Sequence, residues 1–120
     1  MNVQPKLQVV FFRTETGREP VREWLEKFDE ADERKIYAVI RAVWIDWEAA
    51  LRKQRVKKLA EDLWEIRRPI RKNRTVRIVF TREGNKMVLL HGFVKKSQRI
   101  PRKDLELART RKDQWKSRRG

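Results

Sequence analysis

The sequence predicts an α+β domain in which a small antiparallel sheet, made of an N-terminal strand and a three-strand meander, carries a helical hairpin on one face and ends in a C-terminal helix. Three observations lead there. Apolar residues recur at helical spacing between residues 19 and 51, the period switches to two from Leu63 onward, and turn-forming residues punctuate the runs. At 120 residues, with no Pro-, Gly- or Ser-rich linker, the chain reads as one domain spanning 1–120.

Leu7 to Phe12 is a short apolar run between Pro5 and the Thr16-Gly17 turn, and it reads as a strand buried on at least one face. Pro20 suits the first turn of a helix, and Val21, Trp24, Leu25 and Phe28 then fall on one side, so a helix is expected over about residues 19–28. Ile36, Val39, Ile40, Val43, Trp44, Trp47 and Leu51 continue the helical spacing. A second, longer helix follows, paired with the first, and its tryptophans belong to the core rather than to a base-stacking platform.

From Leu63, alternation sets Leu63, Glu65 and Arg67 against Trp64, Ile66 and Arg68. After Pro69 to Arg74, it sets Arg77, Val79 and Thr81 against Val76, Ile78 and Phe80. The Glu83-Gly84-Asn85 turn leads into Lys86 to Val94, whose apolar run implies a strand buried on both faces. Pro101 opens the last helix, in which Leu105, Ala108, Lys112 and Trp115 share a weakly apolar side.

Charge is the strongest functional signal. Thirty-two Lys and Arg oppose 17 Asp and Glu for a formal net charge of +15, and the excess is concentrated in the C-terminal half. Such a density favours a polyanionic partner, because neutralised phosphates release condensed counterions. With no cysteine, disulfide frameworks and thiolate metal sites are excluded, and a reducing compartment is expected. Met1 to Val10 lacks the pattern of a secretory leader, and no apolar run approaches the roughly 20 residues that span a bilayer. The expectation is a cytoplasmic protein with no membrane partner.

If Trp64, Ile66, Ile78 and Phe80 face the helices, Arg67 and Arg77 meet on the opposite, open face, where Lys95 and Lys96 arrive from the end of the neighbouring strand. Arg supplies a planar two-pronged donor for phosphate and Lys a mobile point charge. Arg99, Arg102, Lys103 and Arg74 extend this set as nucleic-acid-binding candidates. His91, the single histidine, lies mid-strand among apolar neighbours. It reads first as a hydrogen-bonded core residue, with proton transfer as its alternative role. Glu65 shares the face of Arg67 and reads as an ion-pair partner. Metal-ligand spacings, Gly-rich phosphate loops and nucleophile elbows do not occur, so neither metal nor cofactor is expected.

Leu63-Trp64-Glu65-Ile66-Arg67, Val76-Arg77-Ile78-Val79-Phe80, the run from Leu89 through His91, Gly92 and Phe93 to Lys96, and Pro101 with Asp104 and Ala108 together resemble the phage-derived HigB-like branch of the RelE/ParE toxin superfamily. The resemblance covers nearly the whole chain. It implies a type II toxin that enters the ribosomal decoding site and cuts translated mRNA, with the RNA 2′-hydroxyl attacking the adjacent phosphate. It further implies Arg77 and Lys96 as stabilisers of the developing charge and Arg67 and Lys95 as positioners. The implied partners are ribosome-bound mRNA, a cognate antitoxin with a helix-turn-helix, and operator DNA reached through that complex.

Two features depart from the family pattern. The tyrosine of the last helix is missing, since Tyr37 lies in the second helix, which leaves the proton carrier unassigned. Ile100 stands where a capping Thr or Ser is usual, at a cost of about 1 kcal/mol. The alternatives on the same residues are a ParE-like topoisomerase poison and a non-catalytic nucleic-acid-binding accessory protein of a phage or mobile element.

Overall fold

A computed structural model describes residues 7–95 and 99–119. Its elements are β1 (Gln8–Phe11), α1 (Pro20–Leu25), α2 (Glu30–Ile45), α3 (Trp47–Arg52), β2 (Val56–Ala60), β3 (Leu63–Ile70), β4 (Arg74–Glu83), β5 (Lys86–Lys95) and α4 (Arg102–Arg119). The five strands form one sheet in the order β1-β5-β4-β3-β2. This is the α+β arrangement expected, and it is compatible with a RelE-like fold.

Three points differ from the expectation. The sheet is mixed, because β1 runs parallel to β5 while every other pair is antiparallel. The long second helix is broken at Asp46, whose extended backbone ends α2 and whose carboxylate then accepts the Ala49 N–H at 3.0 Å to cap α3. An additional strand, β2, pairs with β3; two exposed lysines, Lys57 and Lys58, and a bulge near Ala60 hide it from a period-two reading.

Pro69 stays inside β3 rather than ending it. Arg67 donates its N–H to the Arg55 carbonyl at 3.0 Å, so two residues on, position 69 faces the same edge, beyond the reach of β2. The missing N–H of Pro69 therefore costs no bond to β4. The β3–β4 connection is tight, with Lys72 and Asn73 both at positive φ. It is tied to the start of α2, where buried Asp32 accepts from Arg71 at 3.4 Å and from Arg74 at 3.0 Å, and where Asp29 caps the helix and also pairs with Arg71.

Two apolar layers enclose the sheet. Helices α1–α3 press Val21, Leu25, Ile36, Ile40 and Val43 onto Ile66, Ile78, Phe80 and Leu89. On the other face α4 brings Ala108, Leu105 and Trp115 against Phe12, Val88, Leu90 and Phe93. The tryptophans of the helical region are core residues as expected: Trp47 meets Trp64 edge-on at 4.8 Å, and Trp24, Trp44 and Trp47 all pack against the first layer.

Gly92 marks a close approach of helix and sheet. A Cβ added there would lie 2.3 Å from a ring carbon of Trp24, so the indole rests directly on the strand backbone. G92A is expected to destabilise the fold by about 1–3 kcal/mol through overpacking. Urea unfolding should show that the penalty falls when Trp24 is also reduced to Leu, since the two changes share one contact.

Candidate nucleic-acid interface

The register of β3 and β4 sets Arg67 directly opposite Arg77, on the face away from α1–α3. Glu65, two residues before Arg67, lies between them: its carboxylate is 3.4 Å from the Arg77 guanidinium and 3.9 Å from Arg67 Nε. The two arginines thus share a face as expected, but that face is not open. Arg77 sits mid-way along the central strand, flanked by Glu65 on one side and Phe93 on the other, and is only 2% exposed. The Arg67 side chain retains 31% exposure. Burial pushes the Glu65 carboxyl above its ordinary range, against the opposing pull of Arg77 and Arg67.

Arg67 therefore presents the accessible guanidinium and Arg77 stands behind it. Lys57, paired with Glu65 across β2 and β3, lies on the same face. Together with Gln54, Val56 and Arg67 it lines a cavity of about 350 Å³. Lys57 went unrecognised in the sequence because its strand did; the only available signal was the Lys-Lys pair in a segment too polar to score as a buried strand.

Lys95 ends β5 opposite Thr75, which brings its backbone toward the Arg67–Arg77 end of the sheet. Lys96 lies outside the described residues. His91 occupies the same face as Arg77, two register pairs further along, opposite Val79. Its ring stacks on Phe93 at 5.5 Å, and its Nε2 lies 2.6 Å from Asp104 Oδ1. Asp104 is 7% exposed and belongs to the first turn of α4, so this contact joins the sheet to the last helix. A bulge between Val79 and Phe80 in the β4–β5 register leaves the Leu90 carbonyl free to accept from Arg111 at 2.8 Å, a second polar tie to α4.

The remaining candidates divide. Arg99, Arg102 and Lys103 are exposed at the start of α4, where Arg102 also pairs with Glu106 at 2.9 Å. Arg74 lies on the helix-covered side, bound to Asp32, and is not brought to the Arg67–Arg77 face. No group of three or more His, Asp or Glu able to hold a metal occurs among the described residues. No helix among them is long and apolar enough to cross a membrane.

Comparison with known proteins adds a family. No curated protein matches the chain. The family model described as phage derived protein Gp49-like (DUF891) matches residues 23–113, from α1 to the second half of α4. That span contains Glu65, Arg67, Arg77, His91 and Asp104. The chain therefore belongs to the phage-derived Gp49-like family.

Proposed function

We propose that this protein is the toxin of a type II toxin-antitoxin system and that it cuts mRNA on the ribosome without a metal ion. The observation that carries the reading is the pair of guanidiniums placed opposite one another on β3 and β4, held by one buried carboxylate, at the end of the sheet where β5 delivers Lys95. Membership of the Gp49-like family supports it, as does the net charge of +15.

Cleavage requires the 2′-oxygen to bond to phosphorus while the bond to the 5′-oxygen of the next nucleotide breaks, leaving a cyclic phosphate and a free hydroxyl. The phosphorane-like transition state carries extra negative charge on its non-bridging oxygens, and preorganised cations stabilise it more than they stabilise the ground state. The difference in exposure assigns the roles. Arg67 meets the phosphate, Arg77 acts behind it as a positioning residue through Glu65, and Lys95 and Lys96 complete the cation set. Arg99, Arg102 and Lys103 hold the RNA chain beside it. The cognate antitoxin covers this same basic surface, and through its helix-turn-helix the complex reaches operator DNA.

Two substitutions separate chemistry from folding. R67A should lower cleavage of ribosome-bound mRNA by ~10²- to 10³-fold, equivalent to about 2–4 kcal/mol of barrier, with an unchanged thermal melt. R77A should instead melt earlier, by about 3–5 kcal/mol, because it strands the buried Glu65 carboxylate. Full cutting by a folded R67A protein would eliminate the cleavage mechanism in favour of a binding module.

His91 provides a separate test. As an anchor for α4, H91Q should cost about 1.5–3 kcal/mol of stability, the worth of a hydrogen bond to a charged group. Its cleavage rate, measured well below the melting temperature, should stay near that of the unaltered protein. A large loss of rate in an H91Q protein that melts normally would identify His91 as the proton carrier.

A further inference from the structure

A groove lies between α2 and the end of β3 that β2 leaves uncovered. It encloses about 290 Å³ and is lined by Lys35, Ala38, Val39 and Ala42 from one stripe of α2, by Arg67, Arg68 and Pro69 from β3, and by Arg55. Four of these residues are cationic and none is acidic; Arg67 reaches the groove at the strand edge, since its guanidinium lies near Glu65 on the other face. Most arginines elsewhere in the first half of the chain are matched: Arg13 and Arg22 by Glu19, Arg18 by Glu23, and Arg34 by Glu30. Lys35, Arg55 and Arg68 form no ion pair among the described residues, and the hydrogen bond given to the Arg68 guanidinium is to the Pro69 carbonyl at 3.0 Å. Two other cavities differ in this respect, since the one beside Trp24 carries Asp29 and Asp32 and one beside β1 carries Glu19.

We propose that this groove is a phosphate-binding subsite for a single-stranded nucleic acid, lying one step along the strand from the Arg67–Arg77 cluster. The inference rests on the nucleic-acid part of the functional reading and not on cleavage. Lys35, Arg55 and Arg68, convergent cations with no ion-paired carboxylate among the described residues, repel one another, and a bound phosphate relieves that repulsion while releasing its counterions. Val39, Ala42 and Pro69 supply an apolar floor against which a sugar or base can rest.

Size and backbone chemistry select the ligand. The volume stands at the small end of ligand sites, enough for a group the size of a nucleotide. It is too small to enclose an α-helix of a partner protein, about 10 Å across. An extended peptide would seek backbone hydrogen bonds along the bare edge of β3, but the Arg67 N–H is already given to Arg55 and Pro69 has none to give. Arg67 lines both this groove and the cavity formed by Gln54, Val56 and Lys57. One strand can therefore run from Lys35 and Arg68 over Arg67 to Lys57, a continuous track of positive charge.

The test measures binding of the full-length protein to a labelled, non-cleavable 2′-O-methyl oligoribonucleotide by fluorescence anisotropy, between about 50 and 200 mM salt. K35A/R68A should bind about tenfold more weakly and lower the slope of log K against log salt by about 0.7–1.4. R55A should give a smaller change in the same direction, so that the inference stays testable if the double variant folds poorly. K27A/R41A, which removes the same charge elsewhere, should leave the slope almost unchanged. If K35A/R68A binds RNA like the unaltered protein, the subsite is refuted while the functional reading stands. If it keeps RNA but loses binding to polyglutamate, the groove takes an acidic protein and the inference is likewise overturned. If the unaltered protein binds no oligonucleotide, inference and functional reading fall together.

Discussion

Two guanidiniums directly opposite one another on neighbouring strands repel, and such a pair is ordinarily a destabilising choice. Here the buried carboxylate of Glu65, between Arg77 and Arg67, makes the pairing tenable. Taking Glu65 and Arg77 out of water carries a large desolvation penalty that their attraction only partly repays, so the group is a poor source of net stability. What it supplies is position. Arg77 cannot swing away without stranding Glu65, and Glu65 in turn fixes where the more exposed Arg67 begins. The β3–β4 register and the tight turn at Lys72 and Asn73 follow the same constraint, because a slip of one residue would drive these charges into the layer under α1–α3.

Seen from this pair, the basic residues fall into two populations. One is structural. Arg71 and Arg74 are bound to Asp29 and Asp32 and hold the β3–β4 turn against α2, while Arg111 satisfies the carbonyl exposed by the Leu90 bulge. Burial lowers the pKa of Arg111 from its ordinary value, yet it stays charged at any physiological pH. The other population faces outward with few or no acidic partners among the described residues: Lys35, Arg55, Lys57, Arg68 and Lys103. Formal charge alone cannot separate the two, since Arg74 and Arg68 look alike in sequence, and only the carboxylates that the fold brings near decide which cations remain for a ligand.

The parts legible in the sequence were those with short-range causes. Helical spacing places α1 and α2, alternation assigns Arg67 and Arg77 to one face, and the apolar run from Met87 to Leu90 reports burial on both sides of β5, where all four are buried. What escaped depends on distant partners. β2 owes its existence to β3, not to its own polar sequence. The burial of Arg77 comes from its central place in the sheet, which no local pattern records. The Asp104 partner of His91 lies 13 residues away across a change of element. The parallel direction of β1 likewise depends on how the helical segment returns the chain to β5.

The last helix shows how function and stability trade within one element. Most of α4 is polar, and its apolar contribution to the core reduces to Ala108, Leu105 and Trp115. A helix so poor in apolar surface gains little from burial. It is instead pinned by discrete polar contacts: His91 to Asp104 at its first turn, Arg111 to the Leu90 carbonyl at its middle, and Lys116 to Asp62 at 3.0 Å near its end. Each pin reaches the sheet or the β2–β3 turn, so the helix direction is set by the sheet's own irregularities, the Leu90 bulge among them. The consequence is that Arg102, Lys103 and Arg109 stay in solvent while their backbone is held. A more apolar helix would bind the sheet better and carry fewer cations, and the chain has settled on enough anchoring to order the helix with most of its surface left as charge.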